Sequence, residues 1–120
     1  MSDKYILNEQ GEPVSCTNLF EWATWFEDHR NSRIVKQEQV GEFWVSTVFL
    51  ALDHSFHSDT PILWETMVFR QKDRDARQRY QGDMINSPPM PEQEMDRCGG
   101  SREQALAMHA RMIEKLNVNA

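Results

Sequence analysis

The sequence predicts an α+β fold: one antiparallel sheet of about four to six strands with two helices packed on one face. Residues 43–52 and 62–70 are the two most apolar runs of the chain, and both are rich in the β-branched and aromatic residues that favour strands. Residues 18–29 and 101–116 instead carry apolar residues at helical spacing. The segment between the two apolar runs is too short for a parallel crossover, so these strands are expected to pair antiparallel.

The N-terminal part predicts a short hairpin and then a helix. Residues 4–7 and 13–16 flank a turn-rich tetrapeptide at 8–11. Thr17 is the expected N-cap of the helix, and Trp25 falls outside its apolar face. That face consists of residues at i, i+3, i+4 and i+7: Leu19, Trp22, Ala23 and Phe26.

A polar, strand-like segment at 33–40 precedes the two apolar runs. Neither run has a plainly polar side, which is typical of strands covered on both faces. Two helices of this size cover only one face. The other face is therefore expected to be covered by residues 71–100 or by a second copy of the chain, which would make the protein a homo-oligomer. The residues expected on this second surface are Trp44, Val48, Trp64 and Val68.

The last part of the chain predicts a polar excursion, a short strand and the second helix. Residues 71–91 begin almost wholly polar and end rich in proline, which indicates a surface excursion. A strand is expected at 94–98. Ser101 and Gln104 form a capping box ahead of the helix. The helix face expected to meet the core is Ala105, Met108, His109, Met112 and Leu116.

Length and charge favour a single domain in the cytoplasm. At 120 residues the chain is long enough for one domain with its own core. Its net charge of −6 disfavours a nucleic-acid or anionic-membrane surface, because such surfaces need clustered Lys and Arg. No signal peptide and no apolar run of membrane-spanning length is recognised, so neither secretion nor a membrane is expected. Cys16 and Cys98 form no C-x-x-C motif, and reduced thiols are expected.

Three ionisable residues form the candidate site. Glu65 lies in the middle of an apolar strand, where its burial requires a cation or several hydrogen-bond donors. His54 follows the neighbouring strand and His109 lies on the core face of the last helix, so the three side chains are expected to converge. A carboxyl group whose pKa is raised by burial suits general acid–base catalysis, and the same environment also suits a structural carboxylate.

The loop between the apolar strands also holds a pattern of potential metal ligands. These are Asp53, His54, His57 and Asp59, in a D-H-x-x-H-x-D arrangement. Histidine and carboxylate ligands suit zinc or manganese. The same short polar residues occur in ordinary turns, and no second ligand pair accompanies them, so no metal and no other cofactor is expected.

The remaining candidates are surface contacts for a partner. They are Trp25, Trp44, Trp64 and Arg70. Tryptophan and arginine are enriched in protein interfaces. Stacking of nucleic-acid bases would need basic residues among the tryptophans, which these strands lack. No P-loop, dinucleotide-binding, G-x-S-x-G or H-E-x-x-H motif occurs in the chain.

Four ordered strings carry a resemblance to a known group of proteins. They are WATWFE at 22–27, VSTVFLALDH at 45–54, ETMVF at 65–69 and ALAMH at 105–109. Through them the chain resembles a group of small phage and prophage proteins of unknown function, over most of its length outside 71–91. Cys98 and Ser101 stand where relatives usually carry an aromatic residue and a threonine. The resemblance implies an accessory role, such as blunting a host defence, remodelling a host protein or serving in the virion.

Two functions of different classes follow. The first is a phage-type accessory protein that acts as a non-enzymatic binding module, either for a host protein, including in counter-defence, or for a small ligand. The alternative is a small hydrolase or transferase that uses Glu65, His54 and His109, with or without a metal. Convergence of the three side chains in one open cleft would favour the enzyme.

Overall fold

The structure is a computed structural model that describes residues 3–55, 59–83 and 85–118. No helix within these residues is long and apolar enough to cross a lipid bilayer. In chain order the elements are β1 (Tyr5–Leu7), β2 (Pro13–Ser15), α1 (Leu19–Asp28), a 3-10 turn (Asn31–Arg33), β3 (Ile34–Val40), β4 (Phe43–Phe49), β5 (Ile62–Arg70), α2 (Gln71–Gln78), β6 (Glu92–Gly99) and α3 (Arg102–Val118).

The strands form two antiparallel sheets. β1 and β2 make a separate hairpin, and the larger sheet has the order β3-β4-β5-β6. The predicted α+β class is confirmed, and so is the antiparallel pairing of the two apolar strands, β4 and β5. The hairpin joins the end of the large sheet at Ala51, whose carbonyl oxygen accepts hydrogen bonds from Tyr5 N at 2.9 Å and from Trp22 Nε1 at 3.0 Å.

One face of the large sheet, here called the covered face, packs against α1 and α3. At its centre Val45, Phe49, Trp64 and Val68 are fully buried. The side chains packed on them come from both helices: Trp22, Trp25 and Phe26 of α1 and Met108, Met112 and Leu116 of α3. Both predicted helices therefore lie on the same face of the sheet.

The opposite face is here called the open face. In the register of β4 and β5, Val45 pairs with Val68 and Phe49 with Trp64, whereas Val48 pairs with Glu65. Because neighbouring side chains on a strand point to opposite faces, Trp64 and Val68 belong to the covered face, and Trp44 and Val48 belong to the open face. The prediction that these four residues share one surface is wrong. An odd-numbered residue of β4 lies opposite an even-numbered residue of β5, so the even-numbered residues of the two strands lie on opposite faces of the sheet.

Part of the polar excursion at 71–91 is a helix, which the sequence analysis did not predict. α2 packs against β4 and β5, and the Arg74 guanidinium carbon lies 3.7 Å from the ring centroid of Trp44. The Gln71 N–H also donates to Glu42 O at 2.7 Å. One end of the open face is therefore covered by the chain itself, which was one of the two predicted coverings.

The helix α1 begins one residue later than predicted. Asn18, not Thr17, is the N-cap, and its side-chain oxygen accepts from the Glu21 N–H at 2.9 Å. The predicted apolar face is also wrong in part. Leu19 is exposed, whereas Trp25, placed outside the face by the sequence, meets Phe49 edge-on with ring centroids 5.9 Å apart. The helix buries no residue completely.

The helix α3 follows the prediction closely. Ser101 N donates to Gln104 Oε1 at 2.8 Å, and Gln104 N donates back to Ser101 Oγ at 3.4 Å, so the predicted capping box is present. The strand β6 also confirms the predicted strand, with two more residues at its start and one at its end. The buried residues of α3 are those predicted for its core face: Ala105, Met108, His109, Met112 and Leu116.

Candidate functional site

Glu65 lies on the open face and is held by an arginine from the neighbouring strand. Its residue exposure is only 8%, as the sequence predicted. β5 and β6 pair Glu65 with Arg97, and Arg97 Nε donates to Glu65 Oε2 at 2.7 Å. The short, charge-assisted hydrogen bond compensates for the burial of the carboxylate. Arg97, the partner, was not predicted, because nothing in the sequence gives the register of β6.

His109 lies on the covered face, in a buried polar network. Its Nδ1 is 2.7 Å from Thr47 Oγ1, which is in turn 2.5 Å from Thr66 Oγ1. The ring is only 2% exposed, and its Nε2 is 3.6 Å from Glu38 Oε1, which is too long for a good hydrogen bond. Desolvation lowers the pKa of His109, and the Glu38 carboxylate opposes that shift only in part. His109 is therefore held neutral near pH 7 and acts as a structural hydrogen-bonding group.

The predicted convergence of the three ionisable residues is not found. Glu65 and Thr66 are neighbours on β5 and therefore point to opposite faces of the sheet. Since the Thr66 hydroxyl belongs to the network of His109, the Glu65 carboxylate is on the other side of the sheet from the imidazole. Within the described residues no hydrogen bond or ion pair joins His54 to either of the other two. A single acid–base site containing both Glu65 and His109 is therefore not formed.

The predicted metal-ligand pattern behaves as a turn where it is described. Asp53 Oδ1 accepts from the N–H of Ser55 at 2.8 Å and from the N–H of Ile62 at 3.0 Å, which closes the loop after β4. Burial raises the pKa of Asp53, but a side-chain hydrogen bond from Ser55, these two backbone hydrogen bonds and the nearby His54 together outweigh it, so the pKa lies below its ordinary value. His57 lies outside the described residues. Among the described residues no group of three or more His, Cys, Asp or Glu side chains is arranged to hold a metal ion.

The four predicted partner contacts have different environments. Trp64 is fully buried, so it is a core residue and not a surface contact, which corrects the prediction. Trp25 is half-buried and stacks on His29, with ring centroids 5.0 Å apart. Trp44 is half-buried beneath the Arg74 guanidinium. Arg70 is exposed at the end of β5.

The part of the open face that α2 leaves uncovered carries apolar side chains beside polar ones, since across β4 and β5 Val48 lies opposite Glu65 and Met67 lies opposite Ser46. Met67 pairs with Met95 across β5 and β6, and Val48 pairs with Ile34 across β3 and β4. Met95 is 41% exposed on β6, and Ile34 is 37% exposed beside a register shift at the start of β3. We call these four residues the apolar patch; the Glu65–Arg97 ion pair lies in the same row as Val48 and Ile34. The sequence analysis did not single out the four residues of the apolar patch.

A separate cleft lies where β5 ends. It has a volume of about 520 Å³, and Arg70 lines one side. Its apolar lining belongs to the second core cluster and comes from Val40, Phe43 and Leu116. Arg70 Nε donates a long hydrogen bond of 3.4 Å to the side-chain oxygen of Gln93, which also lines the cleft. The cleft thus combines an apolar floor with one exposed cation, Arg70, and two acidic residues, Glu42 and Glu94.

Comparisons of the chain with protein-family models, with curated proteins and with solved structures found no match.

Proposed function

We propose that this protein is a phage-type accessory protein that acts as a non-enzymatic binding module for a host protein. The observation that carries the proposal is the apolar patch on the open face. A sheet face in a monomer is normally covered or polar, and an exposed apolar area rimmed by polar residues marks an interaction surface. Methionine side chains are flexible and polarizable, which suits a surface that adapts to a partner.

The placement of the ionisable residues supports binding over catalysis. Glu65 is engaged by Arg97, and His109 is engaged by Thr47 on the other side of the sheet. The alternative hydrolase or transferase depended on these two residues meeting in one cleft. Because Glu65 and His109 lie on opposite faces of the sheet, the open face is the stronger candidate for function.

The geometry also indicates what the partner must present. Apolar side chains would cover Met67 and Met95, and Arg97, whose side chain is 34% exposed, would lie at the border of the contact. An acidic group of the partner near Arg97 would compete with Glu65 for the guanidinium. The partner is therefore expected to contribute an apolar surface with at most one carboxylate at its edge.

The test is a site-specific crosslink from the patch. A photo-crosslinking amino acid replaces Met95, and a matched variant carries it at Leu106 on α3, which is 39% exposed. In a bacterial lysate the Met95 variant is expected to give one discrete protein adduct. Excess unlabelled wild type should abolish the adduct, whereas an Ile34→Lys/Met95→Lys double variant should not. The same adduct from the Leu106 variant, or no discrete adduct from the Met95 variant, would contradict the proposal.

A small ligand is the second candidate, and the cleft at Arg70 favours it. An apolar floor beside the Arg70 guanidinium suits an aliphatic carboxylate, and of the two acidic residues that also line the cleft, Glu42 and Glu94, the second is paired with Lys115 at 3.0 Å. Ligand-observed NMR with hexanoate is expected to detect weak binding to the wild type. The Arg70→Gln variant should lose this signal, and hexanol, which lacks the carboxylate, should show none. Equal signals from hexanoate with both proteins would contradict a specific site.

A further inference from the structure

The first turn of α1 exposes two large apolar side chains. Leu19 is 62% exposed and Phe20 is 86% exposed. They lie outside the apolar patch and on a different element from it. Burying a Leu or Phe side chain is favourable, so leaving two neighbours in water forgoes an appreciable stabilisation. Phe20 also borders a shallow hollow whose other walls include Thr24 and Asp28.

Charge is segregated between α1 and the segment around α2. Residues 19–28 contain three acidic residues and no Lys or Arg. Residues 70–79 contain five Lys and Arg and two acidic residues, in a chain whose net charge is −6. The two segments therefore carry net charges of −3 and +3, by subtraction of these counts. An acidic helix and a basic segment of equal and opposite charge are complementary surfaces.

A groove beside α2 has the form to receive an aromatic side chain. It has a volume of about 440 Å³, and Met90, Arg74 and Arg77 are among the residues that line it. The aliphatic stems of the two arginines and the Met90 side chain can supply apolar surface, while the Arg74 guanidinium is engaged over Trp44 and Arg77 is the cation left for a partner. Asp83 also lines the groove, but its carboxylate is engaged by the N–H groups of Ile85 and Asn86.

We propose that the protein self-associates head to tail, with Phe20 of one copy inserted into the α2 groove of a second copy. Glu21 and Asp28, which line the same hollow as Phe20, face Arg77 and its basic neighbours across the contact. The occupant of the groove is thus a second copy of this chain. The contact uses neither Met67 nor Met95, so it is independent of the proposed host-protein surface.

The two contacting surfaces, the helix that carries Phe20 and the α2 groove, are different parts of the chain, so the proposed contact is not a symmetric dimer contact. A contact between unlike surfaces leaves one free surface at each end, so the assembly either closes into a ring or continues to grow. Because opposite charges border the contact, its strength should fall as salt rises. A symmetric contact of α1 with α1 would instead bring two acidic helices together.

Sedimentation velocity with complementary variants tests the proposal. Phe20→Asp removes the inserted side chain, Arg77→Glu changes the groove, and Val118→Asp, at a residue that is 83% exposed, is the matched control. The wild type and Val118→Asp are expected to show a mass that rises with concentration at about 50 mM NaCl and falls at about 500 mM. The first two variants should each be monomeric, with circular dichroism spectra like that of the wild type.

Mixing the two defective variants gives the decisive result. Phe20→Asp retains an intact groove and Arg77→Glu retains an intact Phe20, so an equimolar mixture should form a dimer that does not grow further. A mixture that stays monomeric while both variants are folded would overturn the head-to-tail contact. A wild type that is monomeric at every concentration and salt, or a Val118→Asp control as defective as Phe20→Asp, would also overturn it.

Discussion

Glu65 illustrates how a buried carboxylate is accommodated in an apolar strand. Its charge is balanced by Arg97, whose side chain remains partly in water. Glu65→Leu would free Arg97 to turn toward solvent, so we expect a loss of at most about 1 kcal/mol in the free energy of unfolding. Glu65→Lys would place two cations together and should cost about 3 kcal/mol or more. Chemical denaturation measures the free energy of unfolding of the two variants. A larger loss for Glu65→Leu than for Glu65→Lys would contradict the conclusion that the ion pair with Arg97 is what allows Glu65 to be buried.

His109 should make stability depend on pH. Its pKa is lowered in the folded state, chiefly by desolvation, so the unfolded chain binds more protons as the pH falls through about 6.5. The contribution of the neutral imidazole is fully present above that pH and is lost as the pH falls toward the folded-state pKa. Besides desolvation, the charges of Glu38 and Lys36 act on this pKa, while Thr47 hydrogen-bonds the ring and is itself bonded to Thr66.

A glutamine variant isolates that contribution. His109→Gln keeps a neutral hydrogen-bonding group near Thr47 but does not titrate. Between about pH 7 and 5 its free energy of unfolding should fall less steeply than that of the wild type. Parallel slopes for His109→Gln and the wild type would show that His109 does not titrate differently in the two states.

At the scale of single elements, the N-cap of α1 can be tested directly. The Asn18 side chain accepts from Glu21 N, and the neighbouring Thr17, favoured by the sequence, is exposed. Asn18→Ala should cost about 1 kcal/mol of unfolding free energy, because an unsatisfied N–H is left at the helix start. Thr17→Ala should cost only a few tenths of a kcal/mol, about the size of an ordinary surface substitution. Equal losses would place the cap elsewhere.

The elements differ in how much of them the sequence could predict. α3 was predicted with its cap and core face, because both signals are local: a capping box and apolar residues spaced by three and four. α2 was missed because its packing on Trp44 is made by Arg74, which no hydrophobic pattern reveals. Trp25 was misplaced because the direction from which α1 meets the sheet depends on the tertiary fold.

The prediction of the candidate site was wrong because the sequence does not show how the strands pair. Glu65 was expected to be buried because it lies among apolar residues, and it is. Both alternate sets of β5 are apolar, however, so the sequence does not show which set faces α3. The register puts Trp64, Thr66 and Val68 there, and it leaves Glu65 on the other side. A polar network around His109 was predictable only once Thr47 and Thr66 were known to be paired.

Across the whole molecule, stability is expected to be uneven. α1 buries no residue completely, whereas α3 buries five. Backbone amides of α1 should therefore exchange with deuterium through local opening, faster than those of α3, β4 and β5. Native-state hydrogen exchange measured by NMR tests this expectation. Protection of α1 as strong as that of β5 would mean that the domain opens only as a whole.

The Ala51 carbonyl oxygen has a consequence for the order of events in folding. It accepts from both the hairpin, through Tyr5, and α1, through Trp22, and Ala51 itself has a positive φ of 63°. Both attachments need the end of β4 already in place, so the first 28 residues are expected to dock after the transition state. Substitutions at Tyr5 or Trp22 should then speed unfolding and leave the refolding rate nearly unchanged. The large sheet would then assemble first, and the N-terminal segment would dock on it late in folding and slow its unfolding.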